Sequence, residues 1–175
     1  KQAIAEIAAR LVSPGMSMFL DTGTTTTALA QRLASMRGLK VFTNSLDIAV
    51  LLGKSGEHEV FVTGGTVRAN DNALIGYAAD EAARRHVLDI AFMGIAAIDP
   101  EHGLMDFAQD EAALRRTLVR QARRNVILAD HSKFGRRALI RTVELDVIHL
   151  LITDRPPPAD FASMLDAARI EVLYE

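Results

Sequence analysis

The residues of this 175-residue chain that carry chemistry gather where apolar runs end. The richest group is Asp21-Thr22-Gly23, followed by the hydroxyl cluster Thr24-Thr25-Thr26-Thr27, directly after Met18-Phe-Leu20. Strand, short glycine-bearing turn and helix start is an arrangement that meets phosphate with backbone N–H groups and a positive dipole end. Gly23 lets the main chain approach an anion closely, and the threonine hydroxyls add donors or cap the helix. The same residues also read as a capped helix after a buried strand, with no ligand at all. Polar or glycine-bearing ends recur at Thr43-Asn44-Ser45, Thr63-Gly64-Gly65-Thr66, Gly94 and Asp130-His-Ser-Lys133. Each alone is ordinary turn chemistry. Together they outline a pocket, provided the strands run parallel, because ligands in open α/β sheets collect beyond the strand ends. Ser45 is placed to cap a helix that Leu46 begins. Lys133, beside Ser132, is the best single cation for a phosphate, with an exposed loop lysine as the other reading.

The elements that must position these groups follow from periodicity. Apolar runs bounded by turn signals predict strands at Met16–Leu20, Leu39–Thr43, Glu59–Thr63, Ile90–Gly94, Asn125–Ala129, His149–Thr153 and Ile170–Tyr174. Several are nearly continuous in Val, Ile, Leu and Phe, as strands covered on both faces tend to be. Ile4, Ile7, Ala8 and Leu11 share one helical face before Ser13-Pro14-Gly15. Helices are also predicted over 28–33, from about Gln109 to Gln121, and over 159–168 after Pro156-Pro-Pro158. Alternating strand and helix predicts an α/β fold: one domain, residues 1–175, with a largely parallel sheet flanked by helices.

Composition narrows the function classes. Hydrophobic residues make up 49% and charged residues 24%, an ordinary globular profile with room for a substantial core. No apolar stretch approaches the roughly 20 residues of a membrane span, so no membrane partner is expected. With no cysteine, thiolate metal sites are excluded, and a reducing, cytoplasmic location fits. The five histidines show no metal-ligand spacing, and neither metal nor cofactor is expected. A net charge of −2 gives no reason to expect nucleic acid, although nine Lys or Arg and one acid lie between Arg115 and Arg141. Arg116, Arg120 and Arg124 at i, i+4 spacing read as a solvated helix face, with Arg123 and Arg124 at its C-terminal end. Apolar-apolar-Asp-Thr-Gly is also the local signature of aspartic proteases, whose chemistry needs two such carboxylates. A single copy followed by a helical run argues against that reading.

Phe19-Leu-Asp-Thr-Gly-Thr-Thr-Thr26, Thr43-Asn-Ser-Leu46, Thr63-Gly-Gly65, Ala129-Asp-His-Ser-Lys-Phe-Gly-Arg136 and Ile152-Thr-Asp154 give the chain, nearly end to end, a resemblance to a known family. It resembles the C-terminal effector-binding domain of DeoR-type bacterial transcriptional repressors. Gly103-Leu-Met-Asp-Phe107 and Thr153-Asp-Arg-Pro-Pro-Pro158 look most like the branch that responds to glycerol 3-phosphate. The resemblance implies a sensor of a phosphorylated sugar or polyol that works as a homo-oligomer, dimer or tetramer. It further implies that operator DNA is bound only through an N-terminal winged helix-turn-helix absent from this chain. The implied site takes phosphate on Thr22, Gly23, Thr24, Thr25 and Thr26 with Lys133 as counter-charge, and ligand hydroxyls on Asp21, Asn44 and Glu111. Ser45, Gly64, Gly65, Gly94 and Arg115 complete it. Arg115 stands where many members of the family have lysine, four residues after the glutamate.

The implied fold is similar to that of ribose-5-phosphate isomerase and the CoA-transferase-like proteins. That isomerase works with carboxylates in an Asp-Gly-Ala-Asp-Glu-Ile-Asp run, which corresponds here to Met93-Gly-Ile-Ala-Ala-Ile-Asp99. Only Asp99 keeps its acid, and carbon-acid chemistry needs a positioned base. A binding domain is therefore the expectation. A sugar-phosphate isomerase and an oligomerisation module with a vestigial pocket remain as rivals.

Overall fold

The computed structural model describes all residues, Lys1–Glu175. The chain opens with α1 (Gln2–Ala9), then β1 (Ser17–Leu20), α2 (Thr24–Leu33), β2 (Lys40–Thr43), α3 (Leu46–Gly53) and β3 (Glu59–Val62). A hairpin of β4 (Thr66–Arg68) and β5 (Ala73–Ile75) leads through α4 (Tyr77–Arg84) to β6 (Leu88–Gly94). Two short strands, β7 (Ala97–Asp99) and β8 (Gly103–Asp106), precede α5 (Gln109–Leu118) and β9 (Ala122–Leu128). The remainder is a 3₁₀ turn at His131–Lys133, β10 (Ile140–Arg141), β11 (Leu150–Ile152), α6 (Ala159–Ala167) and β12 (Glu171–Leu173).

All seven predicted strands join one sheet of order β12-β11-β9-β6-β1-β2-β3, and every pairing in it is parallel. Strand alternation divides the core in two. Met18, Leu20, Val41, Ile90, Phe92, Val126, Leu128, Leu150 and Ile152 face one side, where Ile4, Ala8, Leu29 and Leu33 of α1 and α2 cover them. Phe19, Phe42, Ala91, Met93, Ile127 and Leu151 face the other, under Leu114 and Leu118 of α5 and Phe161 and Leu165 of α6. Burial on both faces is why these strands read as continuous apolar runs.

Strand order sets the place for a site. From β1 the chain moves outward through β2 and β3, then returns to the far side of β1 at β6 and continues to β12. Connections therefore leave the carboxyl ends of β1 and β6 in opposite directions, and a crevice opens between them. Outside the main sheet, β10-β8-β7 forms a small antiparallel sheet and β4-β5 a separate hairpin.

Two expectations are corrected here. The helix expected to reach Gln121 stops at Leu118, and Arg123 and Arg124 lie in β9 instead of at a helix end. Arg124 pairs with Glu171 of β12, and Arg116 donates to the carbonyls of Thr142 and Arg141, so the three arginines do not form one solvated face. Gly64 and Gly65 lie between β3 and the hairpin. A Cβ on Gly65, at φ 113°, would sit 2.5 Å from the Ile75 carbonyl oxygen, whereas one on Gly64, at φ 75°, would meet open space. Gly65→Ala should therefore cost about 2–3 kcal/mol and Gly64→Ala only about 1 kcal/mol, by urea midpoint. Equal losses would mean that the close approach to Ile75 does not constrain Gly65.

Candidate functional site

The crevice at the ends of β1 and β6 is a polar cleft of about 200 Å³. Its floor is the turn Thr22–Thr26. Gly23 caps α2 with φ 138° and ψ 158°, a conformation open to glycine. The first α2 bond runs from Thr27 N–H to Gly23 O at 2.9 Å, which leaves the N–H groups of Thr24, Thr25 and Thr26 as the helix's unpaired opening donors. The hydroxyls of Thr26 and Thr27 both donate to Gly23 O at 2.8 Å, so they brace the turn and do not cap it. Thr22 N–H donates to Asp21 Oδ1 at 2.8 Å and to Asn44 Oδ1 at 2.9 Å. Asn44 thus holds the turn from the neighbouring strand end. Its own carbonyl accepts from Leu74 N–H at 2.7 Å, which fastens the β4-β5 hairpin to the same point.

The cleft wall is a cluster of four carboxylates around two guanidinium groups. Arg115, 4% exposed, donates through Nε to Asp21 Oδ2 at 2.7 Å. Its Nη1 lies 2.6 Å from Asp106 Oδ2 and 3.7 Å from Glu111 Oε2. Asp106 is held in addition by the Thr142 hydroxyl at 2.7 Å and by Ala96 N–H at 3.2 Å. Arg68, from the hairpin, binds Asp71 through Nε at 2.9 Å and also Glu111. With every acid ionised, the four carboxylates exceed the two guanidinium groups by two charges. Burial pushes the Asp21 carboxyl above its ordinary value; Arg115 opposes this, while Glu111 and Asp106 reinforce it. Burial works against the Arg115 charge too, but Asp21, Asp106 and Glu111 hold its pKa above the usual range.

Lys133 also lines the cleft, from its 3₁₀ turn. Asp130 opens that turn, accepting from Ser132 N–H at 3.0 Å and from its hydroxyl at 2.5 Å. His131 Nδ1 lies 2.8 Å from Asp154 Oδ2, which pins the turn to the end of β11. These contacts explain why the Asp-His-Ser-Lys and Thr-Asp motifs occur together: one orients the other.

Of the expected site residues, Thr22, Gly23, Thr24, Thr25, Thr26, Gly94, Glu111, Arg115 and Lys133 line the cleft. Asp21 and Asn44 do not: both are 1% exposed and orient the turn from behind, which leaves them no face for ligand hydroxyls. Ser45 caps α3, accepting from Ile48 N–H at 3.3 Å, and lines an adjoining lobe of about 540 Å³. Gly64 and Gly65 line neither lobe. Sequence reasoning missed Lys1, Asp71 and Asp106 as lining residues and Arg68 behind them. Asp106 carried a signal within Gly103-Leu-Met-Asp-Phe107; the other three carried none.

The chain matches the profile of the DeoR C terminal sensor domain over residues 1–155. It is 30% identical over 172 residues to the glycerol-3-phosphate regulon repressor of Escherichia coli (strain K12), covering 98% of this chain and 68% of that protein. To the HTH-type transcriptional regulator GlpR of Haloferax volcanii it is 35% identical over 173 residues, covering 99% and 68%. The HTH-type transcriptional repressor GlcR of Bacillus subtilis (strain 168) is 33% identical, covering 99% and 66%. The chain thus spans about two thirds of these relatives' length. Among solved structures, ribose 5-phosphate isomerase A from Methanocaldococcus jannaschii matches with TM-score 0.54 at 20% identity, covering 76% of this chain and 52% of that one. The structure of eIF2B beta from Chaetomium thermophilum matches with TM-score 0.56 at 14% identity, covering 85% and 46%. At these identities the two share the fold with this chain.

Two expected outcomes test the wall. Arg115→Ala leaves buried carboxylates uncompensated and should cost about 3–5 kcal/mol in urea unfolding; a loss under about 1 kcal/mol would show that the cluster does not need its central cation. Asp21→Asn should reveal the raised carboxyl. A raised folded value contributes stability that is complete below the ordinary 3.8 and lost as pH rises through the folded value. The melting temperature of the Asn variant, relative to the native chain, should therefore climb from acid to neutral pH. A pH-independent difference would refute the upward shift.

Proposed function

Because this chain belongs to the DeoR C-terminal sensor family, we propose that its cleft binds a phosphorylated sugar or polyol and that this occupancy governs DNA binding by a winged helix-turn-helix N-terminal to it. The observation that carries the proposal is the juxtaposition of unpaired α2 N–H groups with Lys133 in one cleft at the strand-order switch. Phosphate would sit on Thr24–Thr26, and the ligand's hydroxyls would face Glu111 and Asp71. Glycerol 3-phosphate is the preferred effector: two relatives are repressors of the glycerol-3-phosphate regulon by name, and a three-carbon ester suits a small cleft. We also assign the working form to a homo-oligomer, dimer or tetramer.

Isomerase chemistry is the weaker reading. Asp99 lies outside the cleft, bound to Arg137 Nε at 2.9 Å and to His102 Nδ1 at 2.9 Å; Arg137 holds its carboxyl far below the usual range. Where the isomerase run has its second acid, Ala96 lines the cleft. An anion grip with no free base at that position favours binding without turnover.

Calorimetric titration with glycerol 3-phosphate, ribose 5-phosphate, fructose 1-phosphate and inorganic phosphate tests the proposal. Saturable binding of glycerol 3-phosphate, much tighter than that of inorganic phosphate, is expected. Lys133→Ala should weaken it about tenfold with the melting temperature unchanged. Tight binding of another ester alone would discard the effector and keep the sensor. No binding by a folded sample would leave an oligomerisation module.

A further inference from the structure

The main sheet ends in two edge strands, and they are finished differently. At β12, Val172 and Leu173 are half-buried against the core. Ion pairs hold both of its ends, Arg124–Glu171 at 3.2 Å and Arg10–Glu175 at 3.4 Å. Charges along an edge discourage further pairing. β3 has no such protection beyond Glu59. It reads Glu59-Val-Phe-Val62, pairs with β2 in unbroken register and leaves Phe61 45% and Val62 42% exposed. Glu59 N–H and Thr63 N–H donate toward β2, to the Leu39 and Thr43 carbonyls, at 3.0 and 3.1 Å. Backbone groups alternate in direction along a strand. Val60 and Val62 therefore turn their N–H and C=O groups outward, where the sheet has no further strand.

The side chains around this edge are apolar. Phe61 ends a row that crosses the sheet in register, Phe19 beside Phe42 beside Phe61. The His86 ring stacks on Phe42 at 4.0 Å and lies 6.4 Å from Phe61, so the adjacent Val87 flanks the same edge. Val50 of α3, which packs on β3, and Val67 of β4 are exposed as well. The exposed parts of Phe61, Val62, Val50, Val67 and Val87 come to on the order of 450 Å². That matches the apolar share of the roughly 800 Å² that each partner buries in a stable dimer.

A second copy of this chain offers the complementary edge. In an antiparallel pair about a twofold axis at Phe61, Val60 of each copy lies opposite Val62 of the other, and the two exchange both N–H···O bonds. Every outward N–H and C=O group of β3 then has a partner. Phe61 meets Phe61 as a non-hydrogen-bonded pair, the closest side-chain approach in such a ladder. Glu59 falls opposite Thr63, whereas an axis at Glu59 would set acid against acid. We propose that β3 is a dimer interface of this chain, pairing with β3 of a second copy about this axis and joining two seven-stranded sheets into one. The proposal rests on the homo-oligomer assigned above and adds the surface that builds it. β3 leads through Thr63–Gly65 into the hairpin that carries Arg68 and Asp71, so the interface lies three residues of chain from an element of the cleft wall.

Sedimentation equilibrium compares the native chain with Phe61→Lys, which sets two ammonium groups across the axis, and with Tyr174→Lys, at the β12 edge. Phe61→Lys should raise the dissociation constant about a hundredfold, taking a dimer to monomer or a tetramer to dimer. Tyr174→Lys should leave the mass unchanged. The chain has no cysteine, so a single introduced thiol reports the register. Oxidised Phe61→Cys should give a covalent dimer, since its two Cα atoms come to about 4.5 Å. Glu59→Cys should not, because it sits more than about 10 Å from its own mate. Native mass in folded Phe61→Lys, or cross-linking of Glu59→Cys with none of Phe61→Cys, would overturn the interface and leave the oligomer standing. So would dissociation by Tyr174→Lys and not by Phe61→Lys. A native chain that stays monomeric at every concentration would remove the oligomer itself, and this interface with it.

Discussion

The buried guanidinium of Arg115 is the constraint on which the site's geometry depends. It joins Asp21 at the end of β1, Asp106 at the end of β8 and Glu111 one turn earlier on its own helix. These elements approach through the small antiparallel sheet and α5, and an uncompensated acid at any of the three positions would be costly. A planar fork suits this task better than a compact ammonium, because it reaches several oxygens lying in different directions. Arginine at this position is therefore a brace for the wall. The Thr22–Thr26 turn inherits its shape from that brace: Asp21 Oδ2 holds Arg115 while Asp21 Oδ1 holds Thr22 N–H.

Much of the fold was legible because it is regular. The inner strands of the main sheet announced themselves as apolar runs, as did the edge strands β3 and β12, although no residue of either edge strand is buried. Strands covered on both faces have no polar face to interrupt them. The β4-β5 hairpin and the β7-β8-β10 sheet were illegible for the opposite reason. Apart from the two-residue β10, these strands are no shorter than β11 or β12, but Thr66-Val-Arg68, Gly103-Leu-Met-Asp106 and Ile140-Arg141 break apolar residues with polar ones. Arg123 and Arg124 misled because an i, i+4 series of arginines continues past the point where the chain turns into β9. Helix propensity there yields to the pairing of β9 with β6 and β11.

At the candidate site, local geometry was readable and long-range geometry was not. Thr22–Thr26, Gly94 and Lys133 could be placed because each sits at a strand end, and parallel strands bring their ends together. Asp21 and Asn44 looked like ligand contacts by residue type alone. Only the fold shows that their oxygens are spent on Thr22 N–H and Arg115. Gly65 answers to a backbone approach at Ile75, and neither it nor Gly64 lines the cleft. Arg68 was invisible because its relevance comes from a contact far away in sequence, the Arg68–Glu111 pair spanning 43 residues.

These arrangements bear on why such a cleft would sense and not catalyse. A general base must be free to take a proton, with its lone pair aimed at the reacting carbon. The carboxylates here are engaged: Asp106 by Thr142, Ala96 and Arg115, Asp21 by Thr22 and Arg115, and Glu111 by Arg68. Freeing any of them would first break an ion pair in a poorly solvated wall. Under the sensor reading, an anion held in this cleft would contribute binding energy that no transition state draws upon. That energy can be spent on a difference between two arrangements of the protein, with a coupling on the order of 1–3 kcal/mol. The opening of α2 gives it somewhere to act, because α2 begins at this cleft and packs against α1 and the sheet.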